Sequence, residues 1–256
     1  MKKKNPSFLK SLLILSLILI QIPFLSSAKS KIKKLPERLV VLTFDDAVSN
    51  HYSFVGPLLK EYGFGATFYI CEFPPDFEKD KKQYLTWGQI KALSDMGFEI
   101  GNHTGHHTGV TELSKEDLIK ELDFIDKRCI ENSIPIPTTF AYPGCGVNPE
   151  LLPTLKEHGI IFARTCDKRA YSPKKDDPLL IPSFPIQGTD KNLFYDAILQ
   201  AKAGSPVVLL FHGIPDYAHP WVTTPPELFE EYMKYLKKNH FTVIAMRDLA
   251  NYKIHD

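Results

Sequence analysis

Two adjacent acidic residues, Asp45 and Asp46, follow the apolar run Leu39–Phe44. Two carboxylates at the end of a buried strand repel each other unless a cation compensates their charge. A metal ion bound by one carboxylate removes that penalty and leaves the other free to act as a general base. The alternative is an exposed pair of carboxylates that caps a helix beginning near Ser49. This segment by itself leaves both interpretations open.

Three histidines within five residues form a second chemical signature, in the segment 103–107, which reads His-Thr-Gly-His-His. Imidazole nitrogen is a favoured ligand of zinc and of neighbouring transition metals. Two histidines and one carboxylate form a ligand set that holds catalytic zinc and leaves one position for water. Because the acidic pair is available, we predict one bound divalent ion, with zinc as first choice and cobalt, nickel or manganese as alternatives.

A single histidine, His212, ends a third apolar run, Val207–Phe211. A histidine in such a place is often a hydrogen-bonded core residue. If this strand ends on the same face as the acidic pair and the histidine cluster, however, His212 is placed to act as a general acid.

Strand-like and helix-like segments alternate along the chain and must position these residues. Apolar segments rich in Val, Ile, Phe and Tyr predict strands at Leu39–Phe44, Ala66–Ile70, Phe98–Gly101, Thr138–Tyr142, Ile160–Arg164, Leu180–Phe184, Val207–Phe211 and Phe241–Ala245. Amphipathic stretches between them predict helices at Tyr52–Tyr62, Trp87–Met96, Lys115–Ile130, Pro149–His158, Leu193–Lys202 and Pro225–Lys238. Capping-box spacing predicts helix starts at Thr86 with Gln89 and at Thr224 with Glu227. Helix ends are predicted at Gly63, Gly97 and Gly159.

This alternation predicts one parallel α/β domain. A barrel of seven or eight strands is the first choice, and an open doubly wound sheet is the alternative. In a parallel barrel the loops that follow the strands build the active site. The acidic pair, the histidine cluster, His212 and the segment Tyr142-Pro143-Gly144 all follow predicted strands, so we expect them to meet.

The first 28 residues have the composition of a secretory signal. Four lysines accompany an apolar run from Leu12 to Leu25, and the small residues Ser-Ser-Ala end it at 26–28. The apolar run is short for a bilayer span, which argues against a permanent anchor. We expect residues 1–28 to be removed, residues 29–36 to form a solvated lead-in, and residues 37–256 to form an exported catalytic domain. Its location would be the periplasm, the cell surface or the medium, with no membrane association of the mature form.

The charge of the chain excludes one class of partner. The first 28 residues hold four basic residues and no acidic one, so the remainder carries 27 basic and 30 acidic residues, a net charge of −3. A slightly acidic body gives no electrostatic reason to bind nucleic acid. Export would permit disulfides among Cys71, Cys129, Cys145 and Cys166. Three complete pairings, and free buried thiols, are compatible with the sequence.

Three motifs together resemble those of a known family. They are Thr43-Phe44-Asp45-Asp46, the His-Thr-x-x-His of residues 103–107, and Leu210-x-His212. In order and spacing they are similar to signatures of the polysaccharide deacetylases, the NodB-homology proteins of carbohydrate esterase family 4, over residues 38–250. The resemblance implies a distorted (β/α) barrel. It also implies a hydrolase that removes N- or O-acetyl groups from sugar polymers, acting on linear amides or on carboxylic esters.

The resemblance also implies residue roles. Asp45 would be the catalytic base and His212 the general acid. The metal ligands would be Asp46, His103 and His107. Leu210 would line the acetyl pocket, and His106 would be a neighbour of the metal rather than a ligand.

One motif departs from the family. Members often carry an Arg-x-Pro-Tyr-like motif after the fourth strand, whose arginine supports the catalytic base. Here residues 140–144 read Phe-Ala-Tyr-Pro-Gly, which is similar to a Tyr-Pro-x-Gly variant. We expect the backbone N–H of Tyr142 to bind the oxyanion, with Pro143 and Gly144 beside it in the substrate site. Arg164, at the end of the next strand, is the candidate to replace the missing cation.

The predicted reaction is metal-assisted hydrolysis of an acetylated polysaccharide, with a polymer that contains N-acetylglucosamine favoured. Trp221 is a candidate for stacking on the sugar, or it packs beneath its own loop. Chitin-like polymers, peptidoglycan, poly-N-acetylglucosamine and acetylated xylan are compatible substrates. Two alternatives are a non-catalytic carbohydrate-binding barrel and a secreted metallo-hydrolase of another ester bond, such as a phosphoester.

Overall fold

Eight short strands in parallel pairings form the centre of the protein in the computed structural model, which describes residues 33–73 and 76–252. The strands are β1 (Leu39–Phe44), β2 (Thr67–Ile70), β3 (Glu99–Asn102), β4 (Thr139–Ala141), β5 (Phe162–Arg164), β6 (Phe184–Pro185), β7 (Val207–Phe211) and β8 (Thr242–Ile244). The signal-like segment 1–28 and residues 29–32 of the lead-in lie outside the described residues. Within the described part, no helix has the length and apolar composition needed to cross a bilayer.

The strand order is β5-β4-β3-β2-β1-β7-β6, and this path curls into a half-barrel. The central strand β1 pairs with β7 along one edge. Along its other edge it pairs with β8 through its first residues and with β2 through its last. A bridge between Arg164 and Ile181 links β5 to the segment that leads into β6. The predicted parallel α/β barrel is thereby confirmed, in its distorted form.

Alternation along the strands decides which side chains meet inside the half-barrel. Successive residues of a strand point to opposite faces of a sheet. Leu39 and Val41 of β1 therefore pack with Val208 of β7 in one cluster, while the intervening residues of both strands pack against the helices in another. Extending the same alternation past the strand ends places Asp45 and His212 on the inner side.

The predicted helices are all present. The α-helices are α1 (Gly56–Tyr62), α2 (Asp76–Lys79), α3 (Trp87–Asp95), α4 (Lys115–Glu131), α5 (Leu152–Glu157), α6 (Asn192–Ile198) and α7 (Pro226–Lys238). A π-helical turn, His51–Val55, precedes α1, and the 3-10 helix Met246–Asn251 follows β8. The sequence predicts neither α2 nor this 3-10 helix. The predicted ends at Gly63, Gly97 and Gly159 are confirmed by their left-handed φ angles of 69°, 99° and 100°.

Of the two predicted capping boxes, one is confirmed and one is wrong. Thr86 Oγ1 accepts from Gln89 N at 3.2 Å, and the Gln89 side chain accepts from Thr86 N at 2.8 Å. The hydroxyl of Thr224 instead donates to Ile186 O at 2.8 Å. Because that bond ties Thr224 to the residue after β6, α7 begins without a side-chain cap.

One glycine of β3 is required by close packing in the half-barrel. A Cβ atom at Gly101 would lie 2.4 Å from the ring of Tyr69 on the neighbouring strand, far inside van der Waals contact. The absence of a side chain at Gly101 therefore makes room for the Tyr69 ring. That ring is in turn 5.4 Å from the guanidinium carbon of Arg164.

Candidate active site

The residues with predicted chemical roles converge at the carboxyl ends of the strands. Asp45 and Asp46 follow β1, His103 follows β3, and His212 follows β7. His103 Nε2 lies 3.7 Å from Asp45 Oδ2, and His212 Nε2 lies 3.8 Å from Asp46 Oδ2. Most of the predicted site residues line one cavity of about 530 Å³, and they are Asp45, Asp46, His103, His107, Tyr142, Gly144, Leu210, His212 and Trp221.

Three side chains of this cavity form a set that fits a divalent metal ion. One ligand atom each from Asp46, His103 and His107 lies within 4.8 Å of the others. Asp46 Oδ1 is 3.4 Å from His103 Nε2 and 3.5 Å from His107 Nε2. This oxygen is buried and has no hydrogen-bond partner, which is costly unless a cation or water satisfies it. Two imidazoles and one carboxylate match the donor set of catalytic zinc.

Contacts behind the set fix how its ligands face one another. His103 Nδ1 lies 2.8 Å from Ala141 O and can only donate to that carbonyl, so Nε2 carries the lone pair that a metal requires. The ring of His107 stacks on Phe73 with centroids 4.4 Å apart. Sequence analysis missed Phe73, which follows β2 and carries no chemical signature of its own.

The electrostatics of the set follow from its burial and its carboxylates. Burial and the neighbouring His103 lower the pKa of His107 to about 4, so its imidazole is neutral and able to bind a metal. Burial by itself raises the pKa of Asp46, but the electrostatic interactions with His103 and His212 outweigh it and hold the pKa below its usual range. Asp46 is therefore an anion ready to bind a cation.

Asp45 has a buried cation as its partner. Arg164 is fully buried, and its Nη2 donates to Asp45 Oδ2 at 2.5 Å. The sequence offered Arg164 as a replacement for the family's motif arginine, and the structure places it against the carboxylate concerned. Asp45 Oδ1 is buried without a hydrogen-bond partner, so this oxygen is the one left to accept a proton.

Backbone strain is concentrated in the loops that carry the site. Among the described residues, eight non-glycine residues have positive φ angles. Five of these belong to the site loops, namely Asp46, Ala47, Thr104, His107 and Cys145. Such conformations cost energy and persist where the surroundings enforce them, often at functional sites. The strain supports a functional reading of these loops.

The loop that begins at His212 is supported by a buried histidine, His51. Its Nε2 lies 3.0 Å from His212 O, and its ring packs edge-on to Phe44. Burial lowers the pKa of His51 to about 4, so the ring is neutral and donates Nε2–H to the carbonyl. His51 was not identified from the sequence, because a lone histidine at a helix start has no distinctive spacing.

The oxyanion prediction for Tyr142 is wrong. Its backbone N–H donates to Arg164 O at 3.2 Å, which continues the pairing of β4 with β5, and its hydroxyl donates to Leu179 O at 2.9 Å. Pro143 is buried and lies outside the cavity lining, whereas Gly144 is exposed and lies within it. Of this segment, only the amide of Gly144 is left beside the cavity for the role predicted for Tyr142.

The side chain of Trp221 does not pack beneath its loop. It is 71% exposed, and its ring lies 5.4 Å from that of His219 at the mouth of the cavity. The alternative of a structural tryptophan is therefore excluded, and the indole is available to a ligand. Leu210, by contrast, is buried within the cavity wall.

A disulfide lies in the cavity wall. Cys145 and Cys166 are bonded, with Cα atoms 5.7 Å apart, and both line the cavity. Cys71 and Cys129 are free and buried, so the structure combines one disulfide with two buried thiols. The bond ties the loop of Gly144 to the chain just beyond Arg164.

Removing this disulfide is expected to lower the stability of the protein. For its sequence separation of 21 residues, loop closure predicts a loss of roughly 3 kcal/mol in the free energy of unfolding. Denaturant titration of the Cys145→Ser/Cys166→Ser variant measures that loss. Dithiothreitol should shift the native protein to the same midpoint and leave the variant unchanged. Equal midpoints for native protein and variant would show that the bond contributes nothing.

Comparison with known proteins places these features in a family. The sequence model of the polysaccharide deacetylases matches residues 32–163. The chain is 34% identical over 222 residues to the peptidoglycan-N-acetylglucosamine deacetylase of Bacillus cereus, with 85% of this chain and 90% of that protein covered. It is 27% identical over 154 residues to the poly-β-1,6-N-acetyl-D-glucosamine N-deacetylase of Staphylococcus aureus, with 56% of this chain and 53% of that protein covered. The chain thus spans about half the length of the staphylococcal protein.

The fold is also found among solved structures. That of Bacillus subtilis PdaA, a family 4 carbohydrate esterase, has a TM-score of 0.55 to this chain at 22% identity. The similarity covers 86% of this chain and 85% of PdaA.

Proposed function

The chain belongs to the polysaccharide deacetylase family, and from that premise we propose that it is a metal-dependent hydrolase that removes acetyl groups from a polysaccharide containing N-acetylglucosamine. One observation carries the proposal. Asp46, His103 and His107 form a metal-binding set directly beside Asp45, a carboxylate held by the buried cation Arg164. A general base next to such a set is an arrangement that suits metal-assisted hydrolysis of an amide or ester.

The relatives support the choice of polymer. The protein from Bacillus cereus, which this chain matches over 90% of its length, is named for deacetylation of N-acetylglucosamine in peptidoglycan. The partial match from Staphylococcus aureus is named for deacetylation of poly-β-1,6-N-acetyl-D-glucosamine. Both names share the N-acetylglucosamine unit, so we propose this unit as the substrate and zinc as the first choice of metal.

The side chains then divide the chemistry among them. A divalent ion held by Asp46, His103 and His107 would polarise the acetyl carbonyl and make water more acidic. Asp45 Oδ1 accepts the proton of the attacking water, while Arg164 holds the carboxylate in place. His212 donates a proton to the departing amine, which leaves poorly as an anion. Leu210, buried in the cavity wall, packs against the acetyl methyl group.

For the oxyanion we propose the backbone N–H of Gly144 in place of that of Tyr142. Gly144 has a φ of 62°, and a Cβ atom added there would have no neighbour within 4 Å. Gly144→Ala therefore creates backbone strain without a clash. Strain that shifts the amide should lower kcat at least tenfold, a part of the 10²–10³ typical of a lost oxyanion donor.

A matched control for Gly144→Ala is available away from the cavity. Gly204 has a φ of 78° and equally open surroundings. Gly204→Ala should lose similar thermal stability and retain kcat. If both variants keep native kcat, the backbone of Gly144 is not part of the reaction.

The proposed function is tested by acetate release from a panel of polymers. The panel comprises β-1,4-linked and β-1,6-linked N-acetylglucosamine oligomers, peptidoglycan and acetylated xylan, with p-nitrophenyl phosphate as a phosphoester control. We expect acetate from the N-acetylglucosamine polymers, little from xylan, and no phosphate. Acetate from xylan alone would reassign the substrate. Absence of turnover on every compound would favour a non-catalytic carbohydrate-binding protein.

We also propose that the chain is exported and that residues 37–256 are its catalytic domain. The basic start, the apolar run and the Ser-Ser-Ala end of residues 1–28 support this proposal. Mass spectrometry of the exported protein should find a mature chain that begins near Lys29. An intact N-terminus on membrane-bound protein would show an anchor instead.

A further inference from the structure

The loop that follows β7, residues 213–224, has a firmly held backbone. At its start, the side chain of Asn50 makes two hydrogen bonds to the backbone of residues 214 and 215, at 3.0 and 2.5 Å. In its middle, the buried carboxylate of Asp216 accepts two backbone N–H groups of the same loop, at 2.7 and 3.2 Å. Side chains on such a backbone lose little further freedom when a ligand binds.

Three aromatic side chains, Phe73, His219 and Trp221, together line one part of the cavity, and we call them the aromatic wall. Phe73 stacks on the metal-set residue His107, with centroids 4.4 Å apart. The His219 ring is 5.2 Å from Phe73 and 5.4 Å from Trp221. The rings thus form a continuous row from the metal-binding set to the mouth of the cavity.

The outer end of the aromatic wall offers both an apolar surface and a hydrogen-bond donor. Trp221 is 71% exposed, although a side chain of this size is usually covered in a folded protein. Asp216 Oδ1, 3.6 Å from His219 Nδ1, raises the pKa of His219 above its usual value. With Nδ1 next to that carboxylate, Nε2 is the ring nitrogen left for a ligand. A sugar ring, with an apolar C–H face and hydroxyl groups at its edge, matches this combination.

We propose that the aromatic wall binds the sugar residue next to the one that loses its acetyl group, a β-linked N-acetylglucosamine. Trp221 stacks on the C–H face of that second residue, and His219 donates to one of its oxygens. This inference rests on the proposed function, since only a polymer extends from the reacting residue to the mouth of the cavity. It adds a reason for the enzyme to prefer oligomers over a single acetylated sugar.

The kinetic test compares N-acetylglucosamine monomer, dimer and trimer as substrates. Native protein should show a rise in kcat/KM of about tenfold or more from monomer to dimer, which corresponds to about 1.4 kcal/mol of additional interaction. Trp221→Ala should lose most of that rise through a higher KM, and Trp221→Phe should restore part of it. His219→Ala should reduce the rise as well.

A neighbouring aromatic residue provides the matched control. Tyr217 belongs to the same loop, is 81% exposed, and lies outside the cavity lining. Tyr217→Ala should retain the native rise from monomer to dimer. The subsite would be overturned if Tyr217→Ala and Trp221→Ala lost the same share of the rise. It would also be overturned if Trp221→Ala lowered kcat/KM equally on monomer and dimer.

Fluorescence separates this inference from the proposed function, because it needs no turnover. The chain contains two tryptophans, and the other one, Trp87, donates its indole N–H to Glu72 at 2.8 Å. Adding the β-1,4- and the β-1,6-linked N-acetylglucosamine trimers to the Asp45→Asn variant should change the emission in a saturable way with at least one of them. The same titration of Asp45→Asn/Trp221→Phe should give no change.

The outcomes of the titration are distinct. Sugar-dependent emission from Trp221 without acetate release by the native protein would uphold the subsite and reject the deacetylase proposal. Acetate release without any response to either trimer would do the reverse.

Discussion

Replacing Asp45 with Asn is expected to lower kcat on an N-acetylglucosamine oligomer by roughly 10²–10⁴-fold, the range typical of a missing general base. The bound metal should remain, because the ligand atoms of the metal-binding set belong to Asp46, His103 and His107. The variant keeps the size of the side chain but leaves the buried Arg164 without its anion, so its stability should fall as well. Acetate release and metal content, measured on the same preparation, test both parts of this prediction.

The adjacent carboxylate provides the contrasting variant. Asp46→Asn should weaken metal binding, and excess metal should restore part of the activity, whereas Asp45→Asn should not respond to added metal. If Asp45→Asn loses the metal and Asp46→Asn keeps it, the roles of the two residues are exchanged. Full activity in Asp45→Asn would remove this carboxylate from the reaction.

The second large effect is expected at Arg164. This guanidinium is fully buried and is the ion-pair partner of Asp45. Arg164→Met leaves a buried carboxylate without its cation, and removing one member of a buried pair typically costs about 3–5 kcal/mol of unfolding free energy. Activity should also fall, since the base is no longer held in position. Denaturant titration at neutral pH and acetate release measure the two losses.

A double variant distinguishes loss of the pair from loss of packing. In Asp45→Asn/Arg164→Met the uncompensated charge is absent, so stability should recover part of the loss while activity stays as low as in Asp45→Asn. If the double variant loses the sum of the two single losses in stability, the two residues are not coupled. Native stability in Arg164→Met would contradict the ion pair itself.

Strand alternation explains why much of the site could be predicted. Asp45 and His212 continue strands whose alternate residues already pack inside the half-barrel, and parallel strands bring their carboxyl ends to one face. Its place at the end of β5 also made Arg164 a candidate to replace the missing motif arginine. A pattern with period two therefore carries positional information well beyond the strand itself.

The errors came from hydrogen bonds between residues far apart in sequence. The N–H of Tyr142 was expected to be free, yet it donates to Arg164 O across the β4–β5 pair. The hydroxyl of Thr224 was expected to cap α7, yet it reaches Ile186 O, 38 residues earlier. Local spacing cannot show which distant carbonyl competes for a donor. Local spacing also could not predict the pairing of Cys145 with Cys166, which depends on how two loops meet.

The most direct test of the central claim is acetate release from an N-acetylglucosamine trimer before and after removal of the metal. Purified protein should contain about one divalent ion per chain, since a three-ligand set holds one ion. Chelation should abolish acetate release, and zinc should restore it in the native protein but not in His103→Ala/His107→Ala. Undiminished acetate release from protein shown to be metal-free would contradict the proposed function of this site.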